Sequence, residues 1–423
     1  MKEAFLHYVW KYTLFSVTDL YGSLKERIVI VKNGTYNTNS GPDFLNAQLK
    51  IDNQFWSGNI EIHLKSSDWY LHNHEVDSNY DAVILHVVWE HDADIYMKNN
   101  RPIPTLVLKD LVDQNLLKNY TNLLSSKTLW IPCQNQITSI DSFTFFNWKE
   151  RLFFERLESK SIVICDLLKT SNNNFEAVLF QLLAKNFGLK VNGDSFLQLA
   201  QSIDFSIIRK EQFNEQKLAA LLFGQAGFFD GMVEEEYFLL LKNEYDYLKH
   251  KYNLYPISNK QFSFFRMRPN NFPTIRIAQL VSLFSEQQNL FSKLMKIEKL
   301  DAFYTLFSLS VNDFWKTHYT FQTRSKKSDK KLTKSFIDLL LINTIIPLKF
   351  VYQKNRGGAD EENILKLIQQ IKPEKNSIIS KFSELKINST SAFQTQALLE
   401  LKNNYCAPKR CLECAIGNKL LRS

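Results

Sequence analysis

Glycine and proline are scarce in this chain, 12 and 10 of 423 residues, which points to a helix-rich body. No run of about 18 apolar residues occurs, so no membrane-spanning helix is expected. The opening residues, MKEAFLHYVWKYTLF, carry Glu3 and lack a small-residue cleavage site, so they read as a helix of the fold and not as a signal peptide. Cysteine is limited to five residues, three of them packed within nine positions, which is unlike a secreted disulfide framework. A reducing cytoplasm is the expected location. No sequence repeat stands out. What is present is a 44% hydrophobic, globular composition with 33 phenylalanines. The net charge of +8 and pI near 8.9 suit a polyanionic partner, and equally a lysine-bearing surface with its charges spread out.

Helical spacing over residues 3–16 is set by Phe5, Val9, Tyr12 and Phe15, with Trp10 alongside. RIVIV at 27–31 reads as a strand, FLNAQLKI at 44–51 as a second, and residues 55–65 as its return after a turn at 52–54. Residues 66–80 are polar and read as a loop with a short helix. DAVILHVVW at 81–89 is the strongest strand, and 105–108 adds another. From about residue 140 the period becomes helical, over 144–168, 174–187, 214–224, 234–250, 275–293 and 336–352. RSKKSDKKLTK at 324–334 and NRGGADEE at 355–362 read as loops, the first a basic one with nucleic-acid contact as the alternative.

Residues 40–90 hold most of the chemistry. Five of the eight histidines lie between His63 and His91, and two acids, Asp43 and Glu61, stand on the arms of a hairpin. With the turn centred on Asn53, Asp43 falls opposite His63 and Leu45 opposite Glu61. Asn59, Glu61, His63 and Lys65 share one strand face, and Ile60, Ile62 and Leu64 the other. That register also turns Leu45, Ala47, Leu49 and Ile51 to the acidic face, a conflict that a bulge or helices on both faces would remove. Two carboxylates and an imidazole suit Mg²⁺ or Mn²⁺, which polarises phosphate and activates water. The competing reading is a salt-bridged polar face, with Glu61 paired to Lys65 or Lys50. His72, His74 and Asp77 in HNHEVD supply a third ligand or proton carrier if the loop leans back over the acids, or else cap a surface loop. His86, inside a buried strand, reads as a hydrogen-bonded core residue.

The order α-β-β-β-α-β, with Pro42-Asp43 at the second strand and Glu61-x-His63 on the third, resembles the PD-(D/E)XK nuclease superfamily. The resemblance covers about the first 110 residues. It implies a restriction-endonuclease-like fold in which Asp43 and Glu61 hold the metal. In that superfamily a lysine two residues after the Glu positions the attacking water; here His63 takes that position, with Lys65 on the same face as its substitute. Over its whole length the chain also resembles a bacterial domain-of-unknown-function family, DUF2851. That likeness rests on GPDF at 41–44, WSGNIEIH at 56–63, SDW at 67–69, HNHEVDSNYDAVILHVVW at 72–89, FGQAG at 223–227, RPNNFPTIRIAQL at 268–280 and YCAPKRCLECAIGNKLL at 405–421.

Cys406-x4-Cys411-x2-Cys414 has a spacing suited to zinc or iron–sulfur ligation but lacks a local fourth ligand. Cys133 is the best candidate for that ligand, while Cys165 lies in an apolar helix and reads as core. Three unligated thiols are the alternative. Arg266, Arg268 and Arg276 surround the rigid turn that opens a helix near Thr274, where they grip nucleic-acid phosphate or pair with acids of a neighbouring helix. The expected class is thus α+β: a nuclease-like domain over 1–125, a mainly helical domain over 126–405, and a cysteine motif over 406–423 packed on the body. The expected function is metal-dependent hydrolysis of DNA or RNA. The rivals are a non-catalytic nucleic-acid binder on the same fold and a protein-interaction or assembly factor.

Overall fold

The computed structural model describes residues 1–125, 128–231, 233–358 and 360–423. Position 126, where the sequence starts the helical domain, and position 359 in the 355–362 loop lie outside the described residues. The chain divides into two compact units, one of residues 1–148 with 401–423 and one of residues 149–400. It is α+β: a mixed sheet near the N-terminus is followed by a mostly helical region.

The first unit opens with α1 (Glu3–Lys11), which buries Phe5, Leu6, Tyr8, Val9 and Trp10. It ends sooner than the spacing suggests, because Thr13 adopts a left-handed conformation with φ +52°; Tyr12 is exposed and Phe15 bridges Val112. The sheet contains β1 (Leu20–Tyr21), β2 (Arg27–Lys32), β3 (Thr35–Tyr36), β4 (Phe44–Ile51), β5 (Gln54–Lys65), β6 (Val83–Glu90) and β7 (Thr105–Val107). The order across it is β1-β2-β4-β5-β6-β7, with β3 also on β4. β4 and β5 form an antiparallel hairpin, whereas β5, β6 and β7 run parallel. A parallel neighbour requires a crossover, and α2 (Asp68–Leu71) lies within the β5–β6 connection.

The hairpin register differs from the expected one. Asp52 takes φ +51° in the turn, and pairing runs Ile51↔Gln54 to Ala47↔Gly58. A bulge then intervenes, with Asn46 at φ +56°, and pairing resumes at Phe44↔Ile60. One residue further on, Asp43 therefore meets Glu61 rather than His63. The bulge also reverses the facing of the strand, so Phe44, Ala47, Leu49 and Ile51 are all buried. On β5 the run Ile60, Glu61, Ile62, His63 is buried on both faces, as in an internal strand. Burying each large apolar side chain here contributes about 1.5–3 kcal/mol.

In the second unit the helical periods are realised as Phe175–Phe187, Glu215–Gln225, Glu236–Tyr252 and Pro273–Glu286, among others. Gly224 is a close-packing glycine: a Cβ there would lie 2.1 Å from Tyr245 Cγ. Residues Lys334–Asn355 are long and apolar enough to cross a membrane by length and composition, and 72% of their apolar window is buried inside the protein. Asp338, Asn343 and Lys349 interrupt the apolar run, so the span holds no unbroken stretch of about 18 apolar residues. The stretch widens into a π-helical turn at Leu341–Ile345, just before Pro347, which brings no amide hydrogen to that turn.

Candidate metal centre

Each side chain of the centre is placed by a local feature of the backbone. The bulge in β4 delivers Asp43 to Glu61, and the two are locked reciprocally. The Asp43 amide donates to Glu61 Oε2 at 3.1 Å, and the Ile62 amide donates to Asp43 Oδ2 at 2.9 Å. After β5, the Lys65 amide donates to Asp68 Oδ2 and opens α2. Left-handed Asn73, φ +59°, then reverses the chain between His72 and His74 and returns both imidazoles to the strand. One ring nitrogen from each of His63, His72 and His74 lies within 4.8 Å of the other two. His63 Nε2 is 3.0 Å from His72 Nδ1 and 3.5 Å from Glu61 Oε1, and His74 Nε2 is 3.2 Å from the same Glu61 oxygen.

The ring orientations show which nitrogens face one another. His63 Nδ1 lies 2.8 Å from His86 Nε2 in a fully buried contact. If His63 donates its Nδ1 proton to His86, its Nε2 presents a lone pair toward His72, His74 and Glu61. His74 Nε2 is buried and makes no hydrogen bond despite its nearness to Glu61 Oε1. Tyr80 stacks on His74 with ring centroids 3.7 Å apart, and Trp69 packs edge-on against it. Convergent imidazole nitrogens beside a carboxylate are a donor set that could hold a divalent transition metal, with His86 against the Nδ1 of His63 on the far side.

The electrostatics follow from burial. Glu61 is 5% exposed, and burial together with the neighbouring Asp43 charge pushes its carboxyl up to about 9, against the Asp43 amide, which opposes the rise. Burial, then the adjacent His86, His74 and His72, push His63 down to about 2, so it is a neutral ring throughout the useful pH range. Burial likewise lowers His74 and His86. His7, on α1, stands 3.2 Å from Asp43 Oδ2. Burial lowers it, but the adjacent Asp43 carboxylate, with Glu3, outweighs burial and leaves it raised.

A family model described as Protein of unknown function (DUF2851) matches residues 3–377. The chain belongs to this family. No curated protein and no solved structure matches it. The matched span contains Asp43, Glu61 and all the histidines of the centre.

Asp43, Glu61, His63, His72 and His74 therefore come together. Lys65 does not join them: it is exposed at the end of β5, and its strand partner is Glu90. Asp77 caps the turn at Ser78–Tyr80 by accepting from the Asn79 amide. His7 and His86 were not assigned to the centre from sequence. The Glu3-x₃-His7 pair on a helix is the signal for the first; nothing local marks the second. Arg276 is buried, its guanidinium 3.7 Å over the Phe336 ring and bonded to Asn271 and Gln279, so it does not face a phosphate. Arg266 and Arg268 are exposed. The basic loop at 324–334 is anchored by Lys330, which turns inward to Trp315 O and Ser325 Oγ. Cys133, Cys406, Cys411 and Cys414 are buried around one cavity, whereas Cys165 is half-buried elsewhere.

Proposed function

We propose that the first unit is a metal-dependent nuclease that hydrolyses phosphodiester bonds of DNA or RNA. The observation that carries this reading is the meeting of Asp43 and Glu61 across β4 and β5 beside three convergent imidazoles. Set apart from the two-residue strands β1 and β3, the elements α1, β2, β4, β5, α2 and β6 are compatible with the α-β-β-β-α-β order of restriction-endonuclease-like domains. Asp43 and Glu61 correspond to the metal-binding acids of that superfamily. A bound divalent ion would polarise a phosphate oxygen and acidify a coordinated water. The donor set of Glu61, His63, His72 and His74 favours Mn²⁺ or a later transition metal over Mg²⁺, which prefers oxygen.

The chain's own residues orient and neutralise. The Asp43 and Ile62 amides hold the two carboxylates, His86 fixes His63, and Tyr80 fixes His74. His7, raised by Asp43, is the imidazole equipped to carry a proton to a leaving alkoxide. Exposed Arg266 and Arg268 on a net-basic chain offer phosphate contacts.

One observation favours a second reading, a non-catalytic nucleic-acid binder. His63 occupies the lysine position yet is neutral, and Lys65 is exposed, so the usual water-positioning cation is missing. Incubating the protein with single- and double-stranded DNA and RNA in Mn²⁺ separates the two. Cleavage lost in folded Asp43→Asn and Glu61→Gln variants supports the nuclease. Binding that survives both, without cleavage by the parent, supports the binder.

A further inference from the structure

We infer that Cys133, Cys406, Cys411 and Cys414 form a second metal centre, a four-thiolate site for zinc(II) or an iron–sulfur cluster, distinct from the histidine–carboxylate site. All four thiols line one small cavity whose other walls include Leu123, Pro132 and Tyr405, and each is less than 9% exposed. A single buried cysteine is an ordinary small hydrophobe. Four around one cavity, three of them from a nine-residue stretch and one from far earlier in the chain, offer the ligand set of a thiophilic metal.

The backbone around the thiols is shaped for this use. Burial raises the Cys414 thiol, and the Ile416 and Gly417 amides beside its sulfur oppose that rise by favouring the thiolate. A neutral thiol is a weak acceptor, whereas a thiolate is a strong one. Gly417 is required for the approach, because a Cβ there would come 2.1 Å from Cys411 O. Asn418 Nδ2 clamps the turn from outside through Leu412 O and Cys414 O. Cys133 is presented by a second tight turn, in which its carbonyl accepts from the Gln136 and Ile137 amides. Lys402 and Lys409 are near enough to act electrostatically on Cys406 and Cys411, offsetting the charge a four-thiolate site carries.

The centre also has a structural task. Residues 401–423 belong to the first unit although residues 149–400 intervene. Closing so long a connection carries an entropic cost, and metal ligation between Cys133 and the terminal turn adds its binding free energy to that closure.

The test is the metal content of the full-length protein, purified without chelator and under argon. Zinc in a colourless protein identifies one occupant. Iron with acid-labile sulfide and broad visible absorption identifies the other. Either is expected to fall in Cys133→Ser and Cys414→Ser and to be kept in Cys165→Ser. Should the cysteine variants fail to fold, thiol counting on the parent decides: the four thiols become reactive only once the metal is extracted. A parent free of both metals, metal unchanged in both cysteine variants, or thiol reactivity indifferent to chelator overturns the inference.

Discussion

Binding of Mn²⁺ at the histidine–carboxylate centre should release close to one proton near neutral pH, and that proton should come from Glu61. Burial and the Asp43 charge push the Glu61 carboxyl up to about 9, so near pH 7 only roughly 1% of it is ionised. A cation must displace the proton, at about 2.7 kcal/mol for two pKa units. Apparent affinity should therefore rise about tenfold per pH unit between about pH 7 and about pH 8. His63 adds nothing to the release, because its ring is already neutral. Linkage also has a sign in the metal-free protein. A carboxyl raised above its unfolded value of 4.5 stabilises fully below that value, and the benefit is lost as pH climbs toward 9. Glu61→Gln should remove both the slope in affinity and this slope in stability. Calorimetric titration in buffers of different ionisation heat measures the proton count directly. Affinity independent of pH, or zero protons released by the parent, would refute the reasoning.

Other outcomes follow from single contacts. Asp43→Ala leaves the part-buried Ile62 amide without its acceptor and should cost about 1–3 kcal/mol in chemical denaturation, whereas Asp43→Asn, which keeps an oxygen, should cost less. Gly224→Ala drives a methyl into the Tyr245 ring and should lower stability by about 1–3 kcal/mol; an unchanged melting temperature would mean the two helices are less closely packed than described. Lys160 is buried with its ammonium on Ile342 O, Asn343 Oδ1 and Gln396 Oε1, and burial pushes it down to about 7. The unfolded chain then binds more protons between about pH 7 and 10.5, so this group's contribution to stability rises with pH in that window. The difference in stability between parent and Lys160→Met should vary with pH there, and a constant difference would contradict the assignment.

The strands were legible because their signals are local. FLNAQLKI became β4 with the bounds its alternation suggests, and DAVILHVVW gave the buried parallel strand β6. The pairing between them was less accessible. The turn closes one residue tighter than expected and the bulge at left-handed Asn46 shifts the register by one more, so Asp43 meets Glu61 instead of His63, and no propensity announces which residue of an alternating strand will bulge. His72 and His74 were legible as a pair two positions apart in a polar loop, but their return to β5 depends on Asn73, whose conformation is decided by packing. His7 comes from an element assigned entirely on its apolar spacing, which hides the polar face. Arg276 misled for the opposite reason. Arginine beside a helix start looks like a phosphate grip in sequence, yet the stacking on Phe336 that buries it is a long-range contact. Cys133, offered by sequence only as the best candidate, lines the same cavity as the three terminal cysteines.

Whether Glu61, His63, His72 and His74 ligate one divalent ion is answered most directly by diffraction from crystals soaked in Mn²⁺, with anomalous data at the manganese edge. The account predicts one strong peak bonded to the three imidazoles and the Glu61 carboxylate, absent in Glu61→Gln crystals. A map without density there, under a concentration at which calorimetry saturates, would contradict it.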